Sequence, residues 1–398
     1  KTHLDDLPPR IMRLHYIEVD TLDGIPVHRR PVSYAVVREA EGRYRLTREE
    51  PVGTGRKGYF VAEVTDRRNG VHNTFGIWRV TASVDGVPYF EYRMDGFTHD
   101  LSRCCDAVSC YPLQLGSRNE VIRLARLAGA PDCFYPTMEE RGLVRTAEGQ
   151  QRRIRIEAED DCGNRSALEF TIRGRSESFR AEPDTATVAV YPDRTSLLQV
   201  GREARISIPE GALYEPVFAK PERRETPQAD SGVVVLSPAY RFLSPETPLR
   251  HAAAVTIRTH VPRPLQLQTV LAVRNRKGRL AHVGGTYANG AVTATTYATG
   301  DLTVVADTLP PSIRPLFTEG ADLSKAEGLR FRVADNFSGI AAWTLRIDGE
   351  WVPCDRFPVK GTLVHFFDNP ATRRKHEVQL SVRDGCGNTA HFRGIFYR

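Results

Sequence analysis

The stretch DDCGN occupies residues 160–164, and DGCGN occupies residues 384–388. Each ends a run in which apolar and polar residues alternate, IRIEAE in the first case and VQLSVR in the second. Alternation with period two is typical of a β-strand with one buried face. Gly and Asn tolerate positive φ and an Asp side chain bonds the nearby backbone, so both stretches are predicted to be turns of β-hairpins. The strands expected to follow them are ALEFTI and AHFRGIFY.

Two further pairs of anchors recur upstream of these turns in the same order. GIWRVTASVDG at residues 76–86 and GIAAWTLRIDG at residues 339–349 each contain a tryptophan and end at Asp-Gly. LPPRI at residues 7–11 and LPPSI at residues 309–313 open the two copies. Three ordered anchors indicate a duplicated β-domain, and the second copy has the length of an immunoglobulin-like sandwich.

The sequence therefore predicts an all-β chain of three tandem β-sandwich domains, Ig-like in kind, of which the first and last are repeats. The predicted boundaries are 1–176, 177–307 and 308–398. The central domain contains two hairpin signals, one of them the dipeptide Asn289-Gly290. The first domain carries a Cys-rich helical insertion at about 96–150.

The insertion contains one stretch with helical periodicity, RNEVIRLARLAG at residues 118–129. An apolar stripe and a cap at Ser117 or Asn119 favour a helix packed on the sandwich. The stripe consists of Val121, Ile122, Leu124 and Leu127.

The bulk composition is that of a globular protein, with 40% hydrophobic and 26% charged residues. The net charge is +6, but the basic residues are scattered, as in RRNG and RNRKGR, and no nucleic-acid-binding module is recognisable. No apolar run approaches the roughly 20 residues that span a bilayer. The opening KTHLDDLPPR is polar and Pro-rich, like a linker, so we expect further residues before Lys1.

The seven cysteines lack the Cys-x-x-Cys and Cys/His spacings of zinc sites. Their density in a turn-rich β chain favours disulfides and an oxidising, extracytoplasmic setting. Cys354 and Cys386 are the pair available within the last domain, and we predict that they are bonded or adjacent. Cys162 could pair with a cysteine of the insertion, namely Cys104, Cys105, Cys110 or Cys133.

No pattern of catalytic residues is found in the sequence. There is no His-Glu-x-x-His, no Gly-x-Ser-x-Gly and no phosphate-binding glycine loop. The repeated turn offers an alternative, calcium binding by Asp160, Asp161 and Asn164 and by Asp384 and Asn388. Because calcium takes six to eight oxygen ligands, one or two carboxylates per turn are too few alone. The sequence thus assigns no catalytic, cofactor-binding or metal residue.

The ordered motifs together resemble a known region of large envelope proteins. They are LPPRI, NTFGIWRVTASVDGVPYFEYRMDGFTHD, IEAEDDCGNRSALEF, ISIPEGALYE, LSPAYRFLSPETPL, HVGGTYANG, ATGDLTVVADTLPPSI, FSGI with IDG, and the last DGCGN. The chain is similar to the region that follows the catalytic domain in lysostaphin/LytM-like zinc metallopeptidases of Bacteroidota-type bacteria, which hydrolyse peptidoglycan cross-links. ISIPEGALYE also resembles the ZU-type β-sandwich of eukaryotic adaptors.

The zinc ligands of that family are absent. The family uses His-x-x-x-Asp and Gly-x-His-x-His, and neither pattern occurs here, so no catalytic residue is carried over. The resemblance implies a non-catalytic envelope module, periplasmic or outer-membrane associated, that positions or regulates a peptidoglycan endopeptidase or docks it on envelope partners. Zinc would belong to a peptidase domain outside this chain.

Two other functions compete with this hypothesis. One is a stand-alone structural or adhesive protein of the envelope, and the other is a carbohydrate-binding module that presents exposed aromatic side chains. Trp78 and Trp343 occupy repeated strand positions, which favours core packing. Trp351, just past the second Asp-Gly turn, is the candidate for an exposed ligand-binding aromatic.

Overall fold

The computed structural model describes residues 5–368, 372 and 374–398. The first residues of the predicted opening linker, 1–4, lie outside the described residues. The chain divides into two compact units, each assembled from three segments. The first unit is Lys1–Ser196, Ile208–Lys220 and Leu243–Ala252, and the second is Leu197–Ser207, Pro221–Phe242 and Ala253–Arg398.

Strands dominate the first part of the chain. They are β1 (Arg10–Leu22), β2 (Ile25–His28), β3 (Val32–Ala40), β4 (Arg43–Leu46), β5 (Val52–Thr54), β6 (Lys57–Arg67), β7 (Thr74–Phe75), β8 (Arg79–Val84), β9 (Val87–Arg93), β10 (Glu120–Arg123), β11 (Thr137–Met138), β12 (Val144–Arg145), β13 (Gln151–Glu159) and β14 (Arg165–Gly174).

The rest of the chain is built in the same way. Its strands are β15 (Val188–Val190), β16 (Ser196–Val200), β17 (Ala204–Ile208), β18 (Val217–Ala219), β19 (Glu222–Arg224), β20 (Val233–Val235), β21 (Ala239–Arg241), β22 (Ala253–Arg258), β23 (Thr269–Arg274), β24 (Leu280–Gly284), β25 (Thr286–Ala288), β26 (Ala291–Thr296), β27 (Asp301–Asp307), β28 (Ser312–Pro315), β29 (Ala321–Asp322), β30 (Gly328–Ala334), β31 (Ile340–Ile347), β32 (Glu350–Val352), β33 (Asp355–Phe357), β34 (Thr362–Phe366), β35 (Lys375–Asp384) and β36 (Thr389–Tyr397).

The helices of the described residues are short. The α-helices are α1 (Cys105–Val108) and α2 (Tyr111–Gln114), and the 3₁₀-helices are His99–Cys104, Asp132–Phe134, Glu140–Gly142, Arg263–Gln268 and Pro358–Lys360. In the part of the chain that the structure describes, no helix has the length and apolarity that crossing a membrane requires. The predicted all-β class is confirmed.

The first unit is organised around one long mixed sheet. Its strand order is β10-β6-β1-β3-β4-β14-β13-β8-β9-β11, with β2, β5, β7 and β12 paired at its sides. Strands β15 and β18 form a separate pair. The core contains Phe60, Ile154 and Leu168, all with 0% exposure. Burying side chains of this size stabilises a fold by about 1.5 to 3 kcal/mol each.

The second unit contains four sheets. Their orders are β16-β17-β22-β26-β25, then β19-β21-β27-β23-β24 with β20 beside β27, then β28-β30-β34-β33, and β29-β36-β35-β31-β32. Strand β27 is buried at every residue and pairs with β20, β21 and β23. Leu329, Phe331 and Leu380 belong to the core of the last two sheets.

The predicted hairpins at the repeated turn are confirmed. Strand β13 pairs antiparallel with β14, and β35 pairs antiparallel with β36. Gly163 and Gly387 have φ of +89° and +92°, values that L side chains rarely adopt, which explains the glycine in both turns. The neighbouring strands recur as well. In the first copy β8 pairs with β13 and with β9, and in the second copy β31 pairs in the same way with β35 and with β32.

The predicted helix at residues 118–129 is wrong. Glu120–Arg123 is strand β10, which pairs antiparallel with β6 at the edge of the first sheet. Val121 packs in one hydrophobic cluster and Ile122 in another, so successive side chains are buried on opposite faces. Burial on both faces produces an apolar run whose periodicity does not separate a strand from a helix. The helical part of the insertion is instead formed by α1 and α2.

Candidate functional site

A cleft of about 690 Å³ in the first unit has a buried arginine, Arg123, among its lining residues. Arg123, the last residue of β10, is only 5% exposed and lies on the wall of this cleft. Its Nη1 donates a hydrogen bond to Tyr59 Oη at 3.1 Å, while its Nε has no partner among the described residues. Arginine is almost never this buried without an ion-pair partner, because removing the charge from water is costly.

A chain of hydrogen bonds leads from Arg123 to a carboxylate. Tyr59 Oη lies 3.3 Å from His28 Nδ1, and His28 Nε2 lies 2.9 Å from Glu215 Oε1. Since Tyr59 Oη accepts from Arg123, its own proton is available to His28 Nδ1. The His28 tautomer that fits carries its proton on Nε2 and donates it to Glu215. Glu215 thus compensates Arg123 through two intervening side chains rather than by direct contact.

Burial and neighbouring groups shift the pKa of Tyr59, Glu215 and Cys110. Burial raises the pKa of the Tyr59 phenol, so it stays protonated at neutral pH. Burial opposes ionisation of Glu215, but the hydrogen bond from His28 and the charges of the nearby arginines together lower the pKa of the carboxyl. Burial also raises the pKa of the Cys110 thiol, which lines the same cleft, so this cysteine is not a reactive thiolate. The arrangement favours ligand binding over nucleophilic chemistry.

Strand register and one glycine position these side chains. Arg123 lies opposite Val61 of β6, and Tyr59 is two residues from Val61, so the side chains project from one face. The segment that carries Glu215 is held at Gly129, whose backbone N–H donates to Tyr214 O at 2.6 Å. A Cβ on Gly129 would lie 2.9 Å from that oxygen, so the close approach requires glycine.

A second polar feature of the first unit gathers carboxylates around the repeated turn. Asp5, Asp66 and Asp160 each offer one oxygen, and these oxygens lie within 4.8 Å of one another; we call this the first acidic cluster. Asp160 Oδ1 accepts the Asn164 backbone N–H at 2.9 Å, and Asn164 Nδ2 donates to Asp160 Oδ2 at 2.8 Å and to Asp5 O at 3.1 Å. Burial, together with the neighbouring carboxylates, raises the pKa of Asp66 to about 6.

The second unit contains an equivalent arrangement at the second copy of the turn. We call this the second acidic cluster. It is formed by one carboxylate oxygen each from Asp307, Asp335 and Asp384, which lie within 4.8 Å of one another. Asp384 Oδ1 accepts the Asn388 backbone N–H at 2.9 Å, and Asn388 Nδ2 donates to Asp384 Oδ2 at 2.8 Å and to Asp307 O at 3.0 Å. Burial and the two other carboxylates raise the pKa of Asp307, against a hydrogen bond from Ser338. These hydrogen-bond lengths match those of the first acidic cluster closely.

Sequence analysis missed both clusters as well as the cleft. It found too few carboxylates at each turn, because the other two aspartates of each cluster come from distant segments. Two signals could have revealed them, an Asp two residues before each Leu-Pro-Pro (Asp5 and Asp307) and a recurring Asp-x-x-x-Gly (from Asp66 and from Asp335). The cleft had no local signal, since Arg123 belonged to the stretch assigned to a helix.

The other predicted site residues are separated in the structure. Trp351 on β32 is 63% exposed, and its contact with a ligand stays a prediction. Trp343 packs against the core of the last two sheets, and its Nε1 donates to Cys354 O at 2.8 Å.

The structure shows Cys354 and Cys386 as free thiols, and the prediction that they are bonded or adjacent stays a prediction. Cys354 contacts the core of the last two sheets, whereas Cys386 packs with Val270 and Val305 in another cluster. The five remaining cysteines of the chain are free thiols as well.

Comparisons with known proteins give one family match and several distant structural ones, among them the two that follow. Residues 190–307 match the model of the Zu5-like domain. No curated protein matches the chain. A structure described as showing host cell surface retention of a 1.5-MDa bacterial ice-binding adhesin is 10% identical, covering 87% of this chain and 98% of that one, with a TM-score of 0.13.

The second structural match is SGBP-B of the Bacteroides ovatus mixed-linkage glucan utilization locus, in complex with a mixed-linkage heptasaccharide. It is also 10% identical, covering 87% of this chain and 65% of that one, with a TM-score of 0.13. TM-scores this low carry no argument about the fold or function of this chain.

Proposed function

We propose that this chain is a non-catalytic binding and scaffold module of the bacterial cell envelope, built of tandem Ig-like sandwiches around a Zu5-like central part. The observation that supports it best is Arg123, a buried guanidinium on the wall of a cleft that pairs with no carboxylate among the described residues. Fixed hydrogen-bond donors and a cation in a desolvated cleft favour an anionic ligand.

The chemistry of the cleft favours a carboxylate as that anion. A carboxylate accepts two parallel hydrogen bonds from a guanidinium and reaches the unpartnered Nε of Arg123. Apolar residues such as Leu127 and Leu213 line the same cleft and would contact an aliphatic part of the ligand. Peptidoglycan presents carboxylates beside aliphatic peptide side chains, and it is the envelope polymer that we propose as partner.

Retention on purified, protein-free peptidoglycan tests this proposal. We expect Arg123→Met to lower the retained fraction about tenfold or more, because a charged hydrogen bond to the ligand is worth roughly 1.5 to 3 kcal/mol. The same substitution removes a buried charge that lacks a direct carboxylate partner, but it also removes the hydrogen bond to Tyr59, so thermal stability should change little. Loss of binding without loss of stability separates a ligand role from a folding role.

Arg155→Met is the matched control, since Arg155 is exposed on β13 and pairs with Glu157 and Glu169. It removes the same charge outside the cleft and should leave retention unchanged. If Trp351→Ala lowers retention while Arg123→Met does not, the cleft is not the binding surface. No retention of the unaltered chain would overturn the wall-binding proposal.

The motif order that resembles LytM-like peptidases supports a second proposal, in which this module positions or regulates a zinc peptidase outside the chain. Its location would then be extracytoplasmic, periplasmic or outer-membrane associated. The intact mass of the endogenous protein tests this, because a mass well above 44.6 kDa is required for a linked peptidase domain. A mass equal to that of the chain favours the stand-alone scaffold or adhesive function.

A further inference from the structure

We propose that each acidic cluster is a binding site for a divalent cation of the calcium class, so that the chain holds two such ions. The proposal is independent of the cleft and of any ligand bound there. It starts from an orphaned group in the first acidic cluster. Asp66 is 1% exposed, and its Oδ1 has no hydrogen-bond partner among the described residues.

Turn chemistry explains much of the cluster but not this atom. Asp160 Oδ1 accepts the backbone N–H groups of Cys162 and Asn164, as a turn aspartate does. The carboxylate of Asp66 lies beside those of Asp5 and Asp160, and its Oδ1 accepts no hydrogen bond from the described residues. A buried, unpaired carboxylate oxygen beside two other carboxylates is costly unless a cation compensates it. Asp5 in the same cluster has a second such oxygen, since its buried Oδ2 accepts no hydrogen bond from any residue that the structure describes.

The second acidic cluster repeats the three positions although the residues between them differ. Asp335 Oδ2 accepts the backbone N–H groups of Phe337 and Gly339, but its buried Oδ1 has no hydrogen-bond partner in the part of the chain that the structure describes. Asp307 and Asp384 are 0% and 2% exposed. Packing in this unit therefore leaves one carboxylate oxygen unpaired at the position equivalent to Asp66.

The ligand atoms select the class of cation. Each cluster offers only carboxylate oxygens, whereas zinc sites in proteins are built mainly from Cys and His. Calcium bonds of about 2.4 Å span oxygen pairs up to about 4.8 Å apart, so three oxygens that lie within 4.8 Å of one another can share one ion. Magnesium demands near-ideal octahedral geometry and dehydrates reluctantly, so a set fixed by three separate segments suits calcium better. Water would supply the remaining ligands.

Isothermal titration of the chelator-treated full chain with CaCl₂ tests the proposal. We expect two ions per chain, with a dissociation constant on the order of 10⁻⁴ M as in extracellular calcium modules. Asp66→Asn and Asp335→Asn should each remove one ion from the stoichiometry, and the double variant should remove both. Asn keeps the size of Asp and removes the charge repulsion, so the calcium-free melting temperature of each variant should not fall.

The other repeated turn provides matched controls. Asp85 and Asp348 occupy equivalent Asp-Gly turns and accept the backbone N–H groups of Arg153 and Glu377, both at 2.8 Å. Asp85→Asn and Asp348→Asn should keep both ions. Absence of calcium binding up to 5 mM, or an unchanged stoichiometry in the double variant, would overturn the proposal. Binding of magnesium in preference to calcium would overturn the assignment of the cation class.

Discussion

Removing the asparagine of the second repeated turn should destabilise the second unit strongly. Asn388 is 9% exposed, and its Nδ2 bonds Asp384 Oδ2 at 2.8 Å and Asp307 O at 3.0 Å. Replacement by Ala leaves a buried carboxylate oxygen and a buried carbonyl with one partner fewer. A hydrogen bond to a charged group contributes about 2 kcal/mol and a neutral one about 1 kcal/mol, so Asn388→Ala should lower the free energy of unfolding by about 3 kcal/mol.

The first copy of the turn provides an internal comparison. Asn164 makes the same two contacts, with Asp160 Oδ2 at 2.8 Å and Asp5 O at 3.1 Å. Asn164 and Asp5 are only half-buried, so water replaces the lost bonds more readily. Asn164→Ala should therefore cost about 1 to 2 kcal/mol, less than Asn388→Ala.

Urea denaturation followed by tryptophan fluorescence measures both effects. Trp343 and Trp351 lie in the second unit and Trp78 in the first, so a Trp78→Phe background isolates the second unit and a Trp343→Phe, Trp351→Phe background isolates the first. Both series are run in chelator so that cation binding does not contribute. A cost below about 1 kcal/mol for Asn388→Ala, or a larger cost in the first copy, would refute the reasoning.

Two other perturbations test the second unit. Asp301 is 4% exposed and accepts from Arg241 at 2.7 Å and Arg274 at 2.6 Å; burial opposes its ionisation, but these bonds lower its pKa. Asp301→Asn should cost about 2 to 4 kcal/mol at pH 7 in urea denaturation, and the difference should shrink as the pH falls below the ordinary Asp pKa and through the lowered pKa of the native carboxyl. A cost that is independent of pH would contradict the ion pair. Trp351→Ala should change stability by less than about 0.5 kcal/mol, because the side chain is 63% exposed; a larger loss by calorimetry would show a packing role.

The misassigned stretch around β10 shows where local pattern fails. Val121, Ile122 and Leu124 are all buried, but they contact different clusters on the two faces of the strand. The competing helix has the same apolar residues at suitable spacing, so composition does not decide between them. The hydrogen bonds to β6 decide it, because an edge position beside Ala62 and Val61 satisfies the backbone of β10 and buries both faces.

The repeated turn was predictable because its causes are local. Alternating residues define the flanking strands, and Asp, Gly and Asn determine the hairpin between them, whatever surrounds it. The sequence by itself thus determined the all-β class and the internal repeat of Asp160–Asn164 and Asp384–Asn388.

The clusters and the cleft were decided by tertiary structure. Asp5 and Asp66 reach Asp160 only because β1 and β6 pair and the opening segment passes the hairpin. The pairing of β10 with β6 places Arg123 beside Tyr59, which in turn bonds His28. These neighbours are far apart in the chain, and their proximity depends on strand register and burial, which no short stretch of sequence encodes.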